Sequence, residues 1–350
     1  MVRVLHISGY GLRLGARGGA LYVRGAGGER LVPLSEVDVV VVATSGVTVT
    51  SRAVRLMAKA GVELVFLDHR GEPAAILYPP APTRTVETRR AQYAAYREPT
   101  AALIAGEIVA AKLSNQAAHL RRLNRRRPSG LLREAAAELE GLSKAALEVA
   151  AAAGGLEEAR GRLLQLEAAG AREYWGALAR LLPGELGFRG RSRDAGDPVN
   201  AALNYGYGIL YSLAWRALVL AGLDPYAGFL HVDRSGKPVL AFDYVEMWRP
   251  ALVDEPLVAA LLSGWRPRLD GPGRLEYGER SRVAGLVKGR LDGRCRGEPR
   301  LTCAGAIQSY ALRLASSLRS RSPYRAYRCE GGGAWPGSSS YTTLATTGPG

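Results

Sequence analysis

Apolar and polar positions alternate at the start of the chain. Arg3-Val-Leu-His-Ile-Ser8 has the period of two that a half-buried strand needs. Gly15 to Gly19 supplies a turn, and Leu21-Tyr-Val-Arg24 runs into Gly25-Ala-Gly-Gly28, a hairpin signal. Val37-Asp-Val-Val-Val-Val-Ala43 reads as a buried strand. A short helix is expected over 51–60, and a strand over 63–67. His69-Arg-Gly71-Glu72 then turns the chain into Ala74-Ala-Ile-Leu-Tyr78. Many short strands divided by glycine turns predict a small sandwich or roll over residues 1–80.

Tyr78-Pro-Pro-Ala-Pro-Thr83 breaks this pattern, because proline cannot continue a ladder. A linker is therefore expected over 81–88. Beyond it, apolar positions recur every three and four residues, which predicts helices over 86–95, 100–124, 131–153, 156–182, 199–221, 252–262 and 304–318. The fold class is α+β: an N-terminal β-sandwich or roll, then a C-terminal all-α domain over 89–328. Residues 329–350 are rich in Gly, Ser and Thr and read as a flexible tail.

Composition adds a partner. The 350 residues carry 47 basic and 32 acidic side chains, a net charge of +15. The lysines are Lys59, Lys112, Lys144, Lys237 and Lys288, and every other basic residue is Arg, whose planar fork grips phosphate oxygens two at a time. GC-rich coding or heat adaptation explains the choice of Arg, but neither requires the excess of positive charge, which favours a polyanion. Cys295, Cys303 and Cys329 form no Cys-x-x-Cys pair, which argues against a zinc ribbon or a disulfide framework. The N-terminus is not a signal peptide, and the apolar runs are too short for a membrane span, so a cytoplasmic protein is expected.

Candidate chemistry lies in the helical region. Glu167 falls on the stripe Leu163, Glu167, Ala171, Tyr174, Leu178. A carboxylate in an apolar stripe needs a partner. Taken alone, it is more often paired with a nearby Arg such as Arg172, or turned to water. His231 sits between apolar Gly228-Phe-Leu230 and the turn at Asp233-Arg-Ser-Gly236, where a packed imidazole is commoner than a ligand. Asp243 and Glu246 have the spacing of a capping-box helix start, which would put both carboxylates near the positive end of a helix dipole. One imidazole and two or three carboxylates brought together by folding suit a hard-to-borderline divalent metal. In so basic a chain, the natural anion for that metal to act on is a phosphodiester. No P-loop, Gly-x-Gly-x-x-Gly, Gly-x-Ser-x-Gly or His-Glu-x-x-His motif competes.

Four ordered blocks then define a resemblance: Glu167-Ala-Ala-Gly-Ala-Arg-Glu-Tyr174-Trp175; Asp197-Pro-Val-Asn200-Ala-Ala-Leu-Asn204-Tyr205-Gly-Tyr207; Leu223-Asp-Pro225 with Gly228-Phe-Leu-His231; and Lys237-Pro-Val-Leu-Ala-Phe-Asp243-Tyr-Val-Glu246-Met-Trp-Arg249-Pro250. Lys112-Leu-Ser-Asn115-Gln116 adds a lesser match. Over about residues 3 to 320 the chain resembles the CRISPR-associated endonuclease and integrase of spacer acquisition, the Cas-one family. The resemblance implies an N-terminal β domain that dimerises and a C-terminal α domain that holds Mn²⁺ or Mg²⁺ on Glu167, His231 and Glu246, with Asp243 beside them. It implies double-stranded DNA as substrate and a small second CRISPR-associated protein, Cas-two, bridging two homodimers. The family reaction is transesterification, a DNA 3′-hydroxyl attacking a phosphodiester.

On that expectation Arg249, Lys237 and Arg172 neutralise the phosphate, and Tyr174 and Tyr205 either orient DNA ends or pack in the core. Arg125, Arg126 and Arg127, with the run Arg189 to Arg193, track backbone phosphates or form solvated loops. Two other functions remain open: a metal-dependent nuclease that hydrolyses branched DNA without integration, and a non-catalytic DNA-binding scaffold.

Overall fold

The valine-rich segment forms β5 (Val39–Val42), between β1 (Val4–Ile7) and β7 (Glu63–Leu67) and parallel to both. β7 pairs antiparallel with β8 (Pro73–Leu77), completing the first sheet. A second sheet carries β2 (Leu12–Arg17), β3 (Ala20–Gly25) and β4 (Gly28–Pro33) as an antiparallel meander, with β6 (Val47–Val49) parallel to β2. Helix α1 (Ser51–Lys59) returns the chain from β6 to β7, and the Thr50 hydroxyl caps it by accepting from the Ala53 amide at 3.2 Å. The computed structural model describes residues 4–7, 9–37, 39–67, 73–77, 85–194 and 196–330.

The two faces of β5 enter different cores. Val40 and Val42 join Ile7, Leu14, Leu21, Met57 and Leu64 against the second sheet and α1. Val39 and Val41, with Val65 and Leu67, pack into the helical core. A strand covered on both faces must be apolar at every position, which is why this segment lacks alternation. The first sheet is thus a middle layer shared by the β and helical parts. A polar contact at the boundary joins His6 Nε2 on β1 to the Tyr205 hydroxyl at 2.8 Å.

The helical part comprises α2 (Thr85–Ala95), α3 (Pro99–Arg126), α4 (Gly130–Ala152), α5 (Leu156–Leu181), α6 (Pro198–Leu220), α7 (Val239–Glu246) and α8 (Glu255–Leu262). Two hairpin strands, β9 (Leu269–Gly271) and β10 (Arg274–Leu275), precede α9 (Tyr277–Asp292). A second strand pair, β11 (Arg294–Cys295) and β12 (Glu298–Thr302), leads into α10 (Cys303–Ser320). Between α7 and α8 the chain makes a π-helical turn, Pro250–Asp254. Helices α3, α4 and α5 pack closely on small residues. At Gly170 of α5 a Cβ would collide with Leu113, and at Gly106 of α3 with Ala150 of α4. This close approach brings the side chains of α3 and α5 within reach of one another.

Several expectations change. Helix α2 begins at Thr85, inside the anticipated linker, while the proline stretch and the turn at 69–72 lie outside the described residues. Two helices were not anticipated. α9 carries Gly278, Gly285 and Gly289, which depress helix propensity, yet it buries Val283, Val287 and Leu291. α7 is buried nearly all round and so shows no amphipathic stripe. Cys329 and Glu330, assigned to the tail, are instead packed. The Cys329 amide donates to Asn115 Oδ1 at 2.8 Å, and Glu330 pairs with Arg121 at 2.8 Å and Arg122 at 2.9 Å. Residues 331–350 lie outside the described residues. No described helix is long and apolar enough to cross a membrane.

Burial lowers the His6 imidazole from 6.5 to about 4. The folded state then refuses a proton that the unfolded chain accepts. Its contribution to stability is complete above pH 6.5 and is lost as the pH falls towards about 4. His6→Asn should therefore flatten the fall in melting temperature over that window. Equal slopes for the two proteins would contradict this assignment.

Candidate active site

Three helices deliver three charged side chains to one point. The Lys112 ammonium on α3 donates to Glu167 Oε1 on α5 at 2.6 Å, and it stands 2.6 Å from Glu246 Oε2 at the end of α7. The Arg249 guanidinium closes on the other oxygen of Glu246. Lys112 and Glu167 are each only 13% exposed and Glu246 6%, so these charges meet in a medium that screens them poorly. Burial opposes the ionised form of Glu246, but Arg249 and Lys112 outweigh it and hold the carboxyl down at about 2. Burial likewise opposes the charge on Lys112, and the two glutamates more than restore it, leaving the ammonium harder to deprotonate than usual. Glu246 Oε2 is buried and has no well-aligned hydrogen-bond donor, so the ammonium holds it by charge.

His231 and Asp243 form the second half of the site. Asp243 is fully buried. Its Oδ2 accepts from the Phe229 amide at 2.7 Å and the Leu230 amide at 2.9 Å. Its Oδ1 accepts from the His231 amide at 3.2 Å and meets His231 Nδ1 at 2.6 Å. One carboxylate thus fixes a whole loop and orients one imidazole, as a carboxylate behind a metal-binding histidine does. The hydrogen bond to Asp243 raises the affinity of His231 for a proton, burial opposes it, and the charges of Glu167 and Glu246 add to it. With Nδ1 committed, Nε2 is the nitrogen left to act.

This geometry corrects the reading of Asp243 and Glu246 as a helix start. α7 spans Val239–Glu246, so both lie in its last turns, at the negative end of the dipole. Backbone amides hold Asp243 and two cations hold Glu246. Arg172, the expected partner of Glu167, is exposed, and Lys112 takes that place.

Beside these groups opens a cavity of about 420 Å³. Its wall includes Lys112, Arg172, Arg189, Arg191, Glu246 and Arg249, with Gln116, Trp175, Tyr207 and Asp254. Two guanidiniums flank the Tyr207 ring, Arg249 at 4.7 Å and Arg191 at 5.3 Å from its centre. The ring is itself fixed, because the Tyr207 hydroxyl donates to Asp254 Oδ1 at 2.6 Å. Tyr174 donates to the other Asp254 oxygen at 3.1 Å and meets His119 Nδ1 at 2.7 Å. Burial lifts the Asp254 carboxyl to about 7, although both hydroxyls favour its charged form. Asp254 ends the π-helical turn, an irregularity common at functional sites.

The remaining candidates fall elsewhere. Tyr174 and Tyr205 are both buried and offer no ring face for stacking on DNA. Lys237 is exposed in the loop before α7 and is not on the cavity wall. Arg125, Arg126 and Arg127 are exposed at the end of α3; Arg127 donates to the Leu262 carbonyl at 3.2 Å, and Arg125 lies 3.9 Å from Glu330. Arg189 and Arg191, from the run expected to track phosphates, line the cavity, while sequence reasoning missed the roles of Lys112, Tyr207 and Asp254. The signal for Asp254 was faint, a carboxylate that closes the apolar run Ala251-Leu-Val253 just before Glu255 and Pro256.

The donor types fit a divalent cation: two carboxylates already converge on one cationic atom, an oriented imidazole lies nearby, and a buried carboxylate oxygen lacks an aligned donor. Among the described residues, however, no three His, Cys, Asp or Glu side chains stand close enough to share an ion. The present occupant of the shared position is the ammonium.

Fold and site together define a class: an α+β protein with a buried acidic centre opening into an arginine-lined cavity. Its family follows from comparison. The sequence profile of the CRISPR associated protein Cas1 family matches residues 5–268, and the chain belongs to that family. It is 38% identical over 340 residues to a CRISPR-associated endonuclease Cas1 of Hyperthermus butylicus, covering 93% of this chain and 98% of the relative. Among solved structures, a casposase bound to integration product shares the fold with a TM-score of 0.78 at 23% identity, covering 95% of this chain and 96% of that one. A Cas6-RT-Cas1–Cas2 complex matches with a TM-score of 0.75 at 23% identity, over 93% of this chain and 36% of that one.

Asp243→Asn would place an amide against the backbone donors that its carboxylate now accepts. Lower thermal stability and a fall in the His231 pKa, read by NMR, are the expected results. An unchanged titration of His231 would remove Asp243 as the group that orients it.

Proposed function

We propose that the chain is a metal-dependent DNA endonuclease and integrase that inserts short foreign DNA segments into a CRISPR array by transesterification. The observation that carries this reading is the paired arrangement of Glu167 and Glu246 around one buried cation, opening onto a cavity lined by Arg172, Arg189, Arg191 and Arg249. Family membership supports an enzyme that acts on DNA phosphodiesters, since relatives similar over nearly the whole chain are endonucleases.

In this reading Glu167, Glu246 and His231 would hold Mn²⁺ or Mg²⁺, which when bound would supply Lewis-acid polarisation of a phosphoryl oxygen. The chain's own residues do the rest. Asp243 engages His231 Nδ1 and so fixes the ring, leaving Nε2 as the nitrogen able to ligate. Arg172 and Arg189 draw the DNA backbone into the cavity, and Arg249, fixed over Tyr207, faces the charge that grows on the phosphate. Positioning is most of the catalysis, because little covalent chemistry falls to the protein in phosphoryl transfer. The exposed run Arg125 to Arg127 and Lys237 add non-specific attraction.

The family reading also proposes a homodimer built on the N-terminal strands and a small Cas2 partner joining two dimers, in the cytoplasm. The edge strands β4 and β8 expose Leu31 at 53% and Leu77 at 44%, apolar surface that a second copy would cover.

The reading is tested with a labelled short duplex and a repeat-bearing plasmid, supplied with Mn²⁺, Mg²⁺ or chelator. Joined strands are expected with either metal and none with chelator. Shortened strands alone would favour hydrolysis without integration. Glu167→Ala and Glu246→Gln should each lower the rate by at least about 100-fold. Full activity in Glu167→Ala would leave only a DNA-binding scaffold. Replacing Arg172 and Arg189 together by Ala should weaken duplex binding and reduce its salt slope by roughly 2, about 0.9 for each lost phosphate contact. An unchanged slope would put DNA outside the cavity.

A further inference from the structure

We propose that Lys112 is a resident counter-cation that yields its place to the metal only when DNA phosphate offers the ammonium a new partner. Metal binding and DNA binding are thereby coupled. The inference rests on the metal reading of Glu167 and Glu246.

Two carboxylates cannot sit ionised and close together in a buried site without a cation. Lys112 Nζ supplies it, 2.6 Å from each. A divalent ion between the same oxygens would meet a positive charge already in place, so Lys112 must leave as the ion arrives. Of the two cations on Glu246, Lys112 is the one able to leave. Arg249 is packed against Tyr207, which Asp254 holds at 2.6 Å. Lys112 has a flexible four-carbon stem, and among the described residues its hydrogen bond and ion pairs run to the two glutamates it would release.

Its destination is the adjoining cavity, whose wall it already forms with Arg172, Arg189, Arg191 and Arg249. Without an anion there, a displaced ammonium would face like charges and repel. With a DNA phosphate it gains an ion pair instead. The cavity therefore penalises displacement without DNA and favours it with DNA. By reciprocity, metal must tighten DNA binding by the factor with which DNA tightens metal binding. The site would stay closed to divalent ions until substrate is seated.

The test is Mn²⁺ affinity, read from the free Mn²⁺ signal in electron paramagnetic resonance, for the full chain with and without a short duplex. The wild type should bind weakly alone and at least about tenfold more tightly with DNA. Lys112→Met should bind Mn²⁺ at least about tenfold more tightly than the wild type without DNA, and its further gain from DNA should be correspondingly smaller. Lys112→Arg keeps the charge and should not show the tighter binding without DNA that Lys112→Met shows. DNA oxygens that ligate the metal directly contribute in both proteins, so the difference between them isolates Lys112. Should Lys112→Met be unstable in chelator, its melting temperature should rise more with Mn²⁺ than that of the wild type. Saturable Mn²⁺ binding of equal strength in wild type and Lys112→Met, or an equal rise in melting temperature, overturns the inference and leaves the metal site standing. No saturable binding in any protein, with or without DNA, overturns the metal site and the inference together.

Discussion

Two carboxylates that share one buried cation are the constraint around which the helical part is arranged. Glu167 and Glu246 come from α5 and α7, and Lys112 from α3. Lys112 answers both carboxylates and Arg249 answers Glu246 a second time, and a buried charge left unpaired costs several kcal/mol. The three side chains thus link three helices at one point. The small residues at Gly106 and Gly170 permit that spacing.

Other contacts brace the same point from outside. Asn115, one turn from Lys112, is fully buried and uses both ends of its amide. It donates to the Met247 carbonyl at 2.7 Å and the Tyr327 carbonyl at 3.0 Å, and accepts from the Cys329 amide at 2.8 Å. α3, the end of α7 and the C-terminal segment are thus tied to one side chain. Trp248 stacks on Tyr327 at 4.1 Å, which seats that segment against the chain between Glu246 and Arg249. On the far side, the middle sheet gives α6 a flat apolar surface. The precision of the acidic centre is borrowed from these contacts, most of them apolar or backbone.

Much of this was legible beforehand. The long helices declared themselves by period, most plainly α4 and α5, which keep an exposed face, while α3 and α6 are buried over most of their residues. The valine strand declared itself by having no period at all. Glu167 was found because a carboxylate in an apolar stripe is a cost that must be met. What met it was not legible: Lys112 lies 55 positions away, and only packing pairs α3 with α5. The Asp243 and Glu246 pair was found for its chemistry but placed at the wrong end of a helix. Asp-x-x-Glu signals a helix start only where the helix has an exposed face, and α7 has almost none. The C-terminal boundary was misplaced because Gly- and Ser-rich sequence begins just beyond Glu330, and composition does not reveal where packing stops.

The central claim is that the acidic centre can exchange its ammonium for a divalent ion. Its most direct test is anomalous diffraction at the manganese edge, from crystals of the chain grown with Mn²⁺ and a short duplex. The account predicts a single peak bounded by Glu167, Glu246 and Nε2 of His231, with the Lys112 side chain turned into the arginine-lined cavity. A peak elsewhere, or Lys112 still seated between the two carboxylates beside bound DNA, would contradict it.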